Sequence, residues 1–288
     1  MGQASRKLAH RLRHSRRGTQ GWRQQGQHDA VRTPQDVKNI HHLAEHEGYD
    51  PLHAAYIAAQ NLLSFFAESV STFDEFAAYC DIVGAAEDAY MPGGPPFSPL
   101  TVSYFTTWAL FDVRFGPDQE TIGTCLLDVA ELVGIDPLTL DTVQNFQGSY
   151  MGMYEHVGRV ASRVRLRELV TGEVFECHVA AGYLGKAGEL WYVRRCPPLR
   201  DLFNYHIIFT TPYVLTETSK ADWTAYLNKS ILETGRTDRR TALYEVLKYG
   251  REPRFWSEFI FLGYHHHQPD AIFLAGLPDV KGSLPHAH

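Results

Sequence analysis

Four times in the first half of the chain, a residue able to cap a helix is followed directly by proline: Thr33-Pro34, Asp50-Pro51, Ser98-Pro99 and Asp136-Pro137. A short polar side chain accepts hydrogen bonds from the exposed N–H groups of a first helical turn, and proline at the first helical position gives up a donor that has no intrahelical partner. This repeated start signal predicts an all-helical domain over residues 33–155. Gly48 is a natural stop for a helix over 34–47. Further helices are predicted over about 51–69, from near Thr72 through Phe76 and Tyr79, from Pro99 through Phe111, from Pro117 to about Val133, and from Pro137 to near Tyr154. Residues 91–99 hold four prolines and two glycines, which predicts a rigid irregular loop.

Beyond residue 155 the period changes. Arg163, Arg165 and Arg167 alternate with Val164 and Leu166, which puts the arginines on one face of a strand and the apolar pair on the other. Thr171-Gly172 turns the chain into a second run, Glu173 to Val179, and a glycine-rich loop leads to a third with Trp191, Tyr192 and Val193. Phe203–Leu215 reads as another strand, limited to an edge or an end by Pro212. Ser219 and Asp238 can cap helices over 220–233 and 239–249, and a last strand over Ala271–Leu277 is expected to close the sheet begun at Val157. The expected fold class is α+β: a helical domain, then over 156–288 a small antiparallel β-barrel or half-barrel with packed C-terminal helices.

The net charge of −6 conceals an uneven distribution, because residues 1–35 carry +7, residues 157–200 carry +4 and the remainder carries −17. Residues 1–32 are rich in Arg, Gln and His with few apolar side chains, and are expected to be a disordered basic tail that offers an electrostatic arm to a polyanion. No apolar run approaches the roughly 18 residues of a membrane span, and the basic start lacks the apolar stretch of a secretory signal. A cytoplasmic protein without membrane contact is expected. Cys80, Cys125, Cys177 and Cys196 are widely spaced with no C-x-x-C pair, the pattern of buried free thiols.

Two constellations carry candidate chemistry. On the strands, Arg163, Arg165 and Arg167, with Lys186, Arg194 and Arg195 nearby in sequence and Tyr183, Trp191 and Tyr192 interleaved, have the composition of a face that contacts phosphates and stacks bases. Cross-strand ion pairs with Glu168, Glu173, Glu176 and Glu189 would consume the same arginines. On the predicted 34–47 helix, His42, Glu45 and His46 form an H-x-x-E-H pattern, with two histidines placed to hold zinc and Glu45 as general base. His265, His266 and His267 diverge on any regular element and read as a polar turn, and the Glu87-Asp88 pair reads as solvated. P-loop, G-x-S-x-G and G-x-G-x-x-G patterns are absent.

The run Leu166–Glu173 followed by Gly188–Arg194 resembles a small β module of uncharacterised bacterial proteins, some of which carry a SEC-C metal-binding tail. This chain has no such cysteine-rich tail, so the zinc binding that the tail implies does not carry over. The functional expectation is a non-catalytic binding or regulatory protein that needs no cofactor and engages nucleic acid or an acidic protein partner through the basic tail and the arginine face. The alternative is a zinc-dependent hydrolase using His42, Glu45 and His46.

Overall fold

A computed structural model describes residues 1–14, 48–91, 93, 98–199, 202–250, 260 and 263–275. Among them are eight α-helices and eight strands, in two compact units. The first unit comprises residues 1–95, 105–148 and 199–203, and the second comprises 96–104, 149–198 and 204–288.

The helical unit contains α1 (Gln3–His14), α2 (Pro51–Val70), a 3-10 turn at Asp74–Phe76, α3 (Ala77–Tyr90), most of α4 (Val102–Phe111), α5 (Ile122–Val133) and α6 (Pro137–Gly148). The proline starts at Asp50 and Asp136 behave as expected: each aspartate accepts hydrogen bonds from two first-turn N–H groups, at 3.0–3.2 Å. The core forms where α1, α2 and α6 pack against α5, around Leu8, Tyr56, Phe66, Leu126 and Phe146. Phe111 stacks on Phe146 at 4.6 Å, and Tyr56 meets Phe146 edge-on at 4.8 Å.

Two expectations fail here for one connected reason. Residues 1–14 are not disordered: α1 buries Ala4, Ser5, Leu8, Ala9 and Leu12, a narrow stripe at helical spacing. Pro117 does not start a helix. It sits in a tight turn between Phe115 and Glu120, whose backbones pair at 2.9 and 3.1 Å, with Gly116 (φ 66°) and Gln119 (φ 53°) in the left-handed region. That turn holds two acids against the start of α1. Glu120 accepts from Ala4 N at 2.8 Å, Ser5 N at 3.0 Å and Ser5 Oγ at 2.5 Å, and Asp118 accepts from Gln3 N at 2.7 Å. Carboxylates thus satisfy the orphan donors at the positive end of the helix dipole. A Cβ at Gly2 would collide with the Glu120 carboxylate, so a larger residue there would have to displace that side chain. The α5 start instead falls at Thr121, whose hydroxyl accepts from Thr124 N at 3.1 Å. Residues 15–47 lie outside the described residues, and with them the rest of the basic tail and the predicted 34–47 helix.

The second unit is built on β1 (Met151–Val160), β2 (Arg163–Glu168), β3 (Val174–Val179), β4 (Leu190–Cys196), β5 (His206–Ile208), β6 (Tyr213–Leu215), β7 (Tyr264–His267) and β8 (Ile272–Leu274). Five of them close a small barrel in the ring β1-β2-β3-β5-β4, with β1 returning to β4 through pairs such as Tyr154↔Trp191. The closed barrel and the α+β class agree with the sequence reading, except that β3 and β5 pair in parallel. The last strand does not close the sheet, since β8 lies outside the ring in a β4-β6-β8-β7 extension. The expected Phe203–Leu215 strand is two short strands separated around Pro212. The sixth predicted helix stops at Gly148, and β1 begins at Met151 rather than near Val157.

Inside the barrel, Tyr154 from β1, Val164 and Leu166 from β2, Cys177 and Val179 from β3, and Trp191 and Val193 from β4 form one buried cluster. All four cysteines are free, and Cys125, Cys177 and Cys196 are buried. Ser98-Pro99 precedes its helix by a turn: the Tyr213 hydroxyl donates to Pro99 O at 2.8 Å and accepts from Thr101 N at 3.0 Å, and α4 begins only at Val102. The helices α7 (Lys220–Glu233) and α8 (Arg239–Tyr249) follow the caps at Ser219 and Asp238 as predicted; they pack on each other, and α8 contacts β1. Among the described residues, no helix is long and apolar enough to cross a membrane.

Candidate ligand-binding site

The predicted arginine face is real as a geometric row but largely neutralised. Val164 and Leu166 are fully buried while Arg163, Arg165 and Arg167 point outward, as a period of two requires. Arg163 Nη1 lies 2.9 Å from Glu176 Oε1, with its guanidinium 3.7 Å above the Tyr205 ring. Arg167 Nη1 is 3.2 Å from Glu155 Oε2, which also takes Lys220 Nζ at 2.6 Å. Arg165 and Lys186 are exposed, and neither has an ion-pair partner among the described residues. The α1 cations are similarly engaged: Arg11 pairs with Glu75 at 3.0 Å and Arg6 with Asp118 at 3.5 Å.

Trp191, Tyr192 and Arg194, predicted for the same face, are not on it. Trp191 and Tyr192 are fully buried, Trp191 in the barrel core with its Nε1 donating to Glu189 Oε2 at 3.0 Å, Tyr192 against Tyr104 with hydroxyls 3.0 Å apart. Arg194 is also fully buried, and its Nη1 donates to Ser149 Oγ at 3.2 Å. β4 is covered on both sides from Leu190 to Arg194, so no base can stack on its rings.

His42, Glu45 and His46 lie outside the described residues. Among the described residues no group of three or more His, Cys, Asp or Glu side chains is placed to hold a metal ion. His265, His266 and His267 lie on β7, exposed, rather than in a turn, and the His266 ring stacks on Phe273 at 4.6 Å. Glu87 and Asp88 are exposed on α3.

The side chains that do converge lie at one end of the barrel. The apolar inner row of β2, Val164 and Leu166, continues to Glu168; the inner row of β4, Trp191 and Val193, continues to Arg195. Each row therefore ends in a charge. Both residues line a cavity of about 400 Å³ together with Tyr150 and Phe175, and the start of α8 supplies the opposite wall through Arg240 and Tyr244. That volume is in the range of small-molecule sites, roughly 300–1,000 Å³.

Arg195 is held in a fixed pose. Its guanidinium lies 3.7 Å above the Phe175 ring, and its Nε donates to the Tyr154 hydroxyl at 3.3 Å. No carboxylate pairs with it among the described residues, which leaves both Nη groups as open donors. Glu168 is nearly inaccessible. Its Oε2 fastens the β2–β3 turn by accepting from Val170 N at 3.1 Å and Thr171 N at 2.6 Å, whereas its buried Oε1 accepts no hydrogen bond from the described residues. At the rim Arg240 pairs with Glu173, and Asp238 is occupied as the α8 cap, accepting from Thr241 N at 2.8 Å.

Electrostatics follow from this geometry. Burial raises the Tyr150 and Tyr154 phenols above their ordinary range; the Glu168 carboxylate adds to both shifts, and Arg195 opposes them. Both therefore stay protonated near neutrality and available as hydrogen-bond donors. His206, edge-on to Phe175 at 5.0 Å, is pushed down to about 4, first by burial and then by the Arg195 charge.

The sequence pattern groups Arg195 with Arg194 on the outer basic face, whereas a period of two from Trp191 through Val193 puts Arg195 on the inner face. The same count from Val164 through Leu166 leads to Glu168, which the sequence reading took for an ion-pair partner. A charge in register with a core row was the available signal. Comparisons with family models, with curated proteins and with solved structures returned no match to this chain.

Proposed function

We propose that this protein is a non-catalytic binding protein whose barrel-end cavity holds a small organic anion, with Arg195 as the anchor. The observation that carries this reading is a guanidinium locked against Phe175 and Tyr154 with its two Nη groups facing no carboxylate among the described residues. A planar fork of this kind suits bidentate binding of a carboxylate or phosphate, and a rigid side chain loses little conformational freedom on binding. The protonated Tyr150 phenol supplies a further donor in the same cavity. Contact with a nucleic-acid backbone through the outer face has less support, because Arg163 and Arg167 of the three outward β2 arginines are ion-paired and Trp191 and Tyr192, the intended stacking rings, are core residues.

Calorimetric titration with a panel of small carboxylates and inorganic phosphate tests the proposal. Binding by at least one probe, weakened roughly a hundredfold in Arg195→Met and only in part in Arg195→Lys, is the expected result. Affinities equal in wild type and Arg195→Met would overturn it.

A further inference from the structure

We infer that the cavity is selective for a small zwitterion of the α-amino acid type, its carboxylate on Arg195 and its ammonium on Glu168; this rests on the anion-site reading above. The charged groups around the cavity differ in what already occupies them. Arg240 and Glu173 satisfy each other, and Asp238 is engaged by the first turn of α8. What remains is the Arg195 fork and the Glu168 carboxylate, whose buried Oε1 has no donor among the described residues. The two do not form an ion pair with each other, although both line the same cavity.

A buried carboxylate oxygen without a donor is costly, and a cation left without an anion adds to that cost. A simple anion would answer Arg195 and leave Glu168 Oε1 still unmatched. A simple amine would do the reverse. A ligand with an anion and an N–H donor a few bonds apart answers both and adds no net charge to the cavity. The Tyr150 and Tyr244 rings, edge-to-face at 5.5 Å, give the third substituent an aromatic wall, so an apolar side chain fits best.

The test is titration of the full-length protein with each of the twenty common L-α-amino acids, and with two truncated probes, 3-phenylpropanoate (no ammonium) and 2-phenylethylamine (no carboxylate). Wild type is expected to bind at least one amino acid with an apolar side chain, and to prefer phenylalanine to either truncated probe by roughly ten- to a hundredfold, the worth of one charge-assisted hydrogen bond. Glu168→Gln keeps an oxygen for Val170 N and Thr171 N, and should erase that preference over 3-phenylpropanoate while 3-phenylpropanoate binds as well or better. The wild-type comparison stands by itself should Glu168→Gln lower the melting temperature. If 3-phenylpropanoate or phosphate binds through Arg195 as tightly as every amino acid, the zwitterion inference fails and the anion site survives. If no amino acid, carboxylate or phosphate binds, both fall.

Discussion

Arg163 and Arg195 each hold a guanidinium 3.7 Å above an aromatic ring, Tyr205 in one case and Phe175 in the other, yet they stand in opposite electrostatic situations. Arg163 points outward from β2 and meets Glu176 at 2.9 Å in a half-solvated ion pair. Arg195 points inward from β4, beside a phenol, with no carboxylate ion-paired to it among the described residues. Outside the barrel a cation has water as an alternative partner, so a surface pair stabilises by under about 1 kcal/mol. Inside, an unpaired cation is expensive, and a fold retains it only if something else supplies the missing interaction. The same residue type with the same ring contact is thus surface chemistry on one face and a candidate site on the other.

The sharpest way to test the assignment of inside and outside is Trp191→Ala. If Trp191 is core, the substitution costs about 3–5 kcal/mol in chemical denaturation, as for other large aromatics cut to alanine. A stability change below about 1 kcal/mol would return Trp191 to a surface role and undo the comparison. Arg195→Met should weaken anion binding by about 3 kcal/mol, a hundredfold, whereas Arg163→Met leaves the same titration unchanged. Equal losses in both variants would mean that the two arginines are not functionally distinct.

A smaller effect should appear with pH. His206 has its pKa lowered from 6.5 to about 4, so between these values the unfolded chain binds a proton that the native state does not. Stability therefore falls as pH drops from about 6.5 toward 4, by roughly 2–3 kcal/mol in total, and His206→Asn should flatten that part of the curve. An anion bound at Arg195 offsets the nearest positive charge and should move the His206 titration upward in an NMR pH series. No movement would separate His206 from the site. The smallest effect is expected for Glu176→Gln, which breaks the Arg163 pair at a cost of under about 1 kcal/mol with no change in ligand affinity.

Much of this architecture was legible locally. Asp50, Asp136, Ser219 and Asp238 were readable as caps because a cap needs only its own first turn, and the inward set of β2 followed from alternation alone. The failures share the opposite property. β1 escaped notice because Met151 to Tyr154 is buried continuously between two strands and shows no alternation. α1 looked disordered because its apolar stripe of Ala4, Leu8, Ala9 and Leu12 is narrow, and what orders it is the surface of α5 and the Glu120 carboxylate, 115 residues away. Pro117 looked like a helix start because proline at a first turn and proline in a tight turn share the same φ.

By itself the sequence determined the division into helices followed by strands, the caps, and the parity that sends Val164 and Leu166 inward. Those depend on neighbours within a turn or two of chain. The tertiary structure alone decided that β1 returns to β4 and closes the ring, that the start of α8 walls one end of it, and that Glu168 and Arg195 are therefore enclosed together. Parity fixes only the side of a strand on which a charge lies. Whether that side meets water, a partner charge or an unfilled cavity depends on segments tens of residues distant, whose arrival no local pattern encodes.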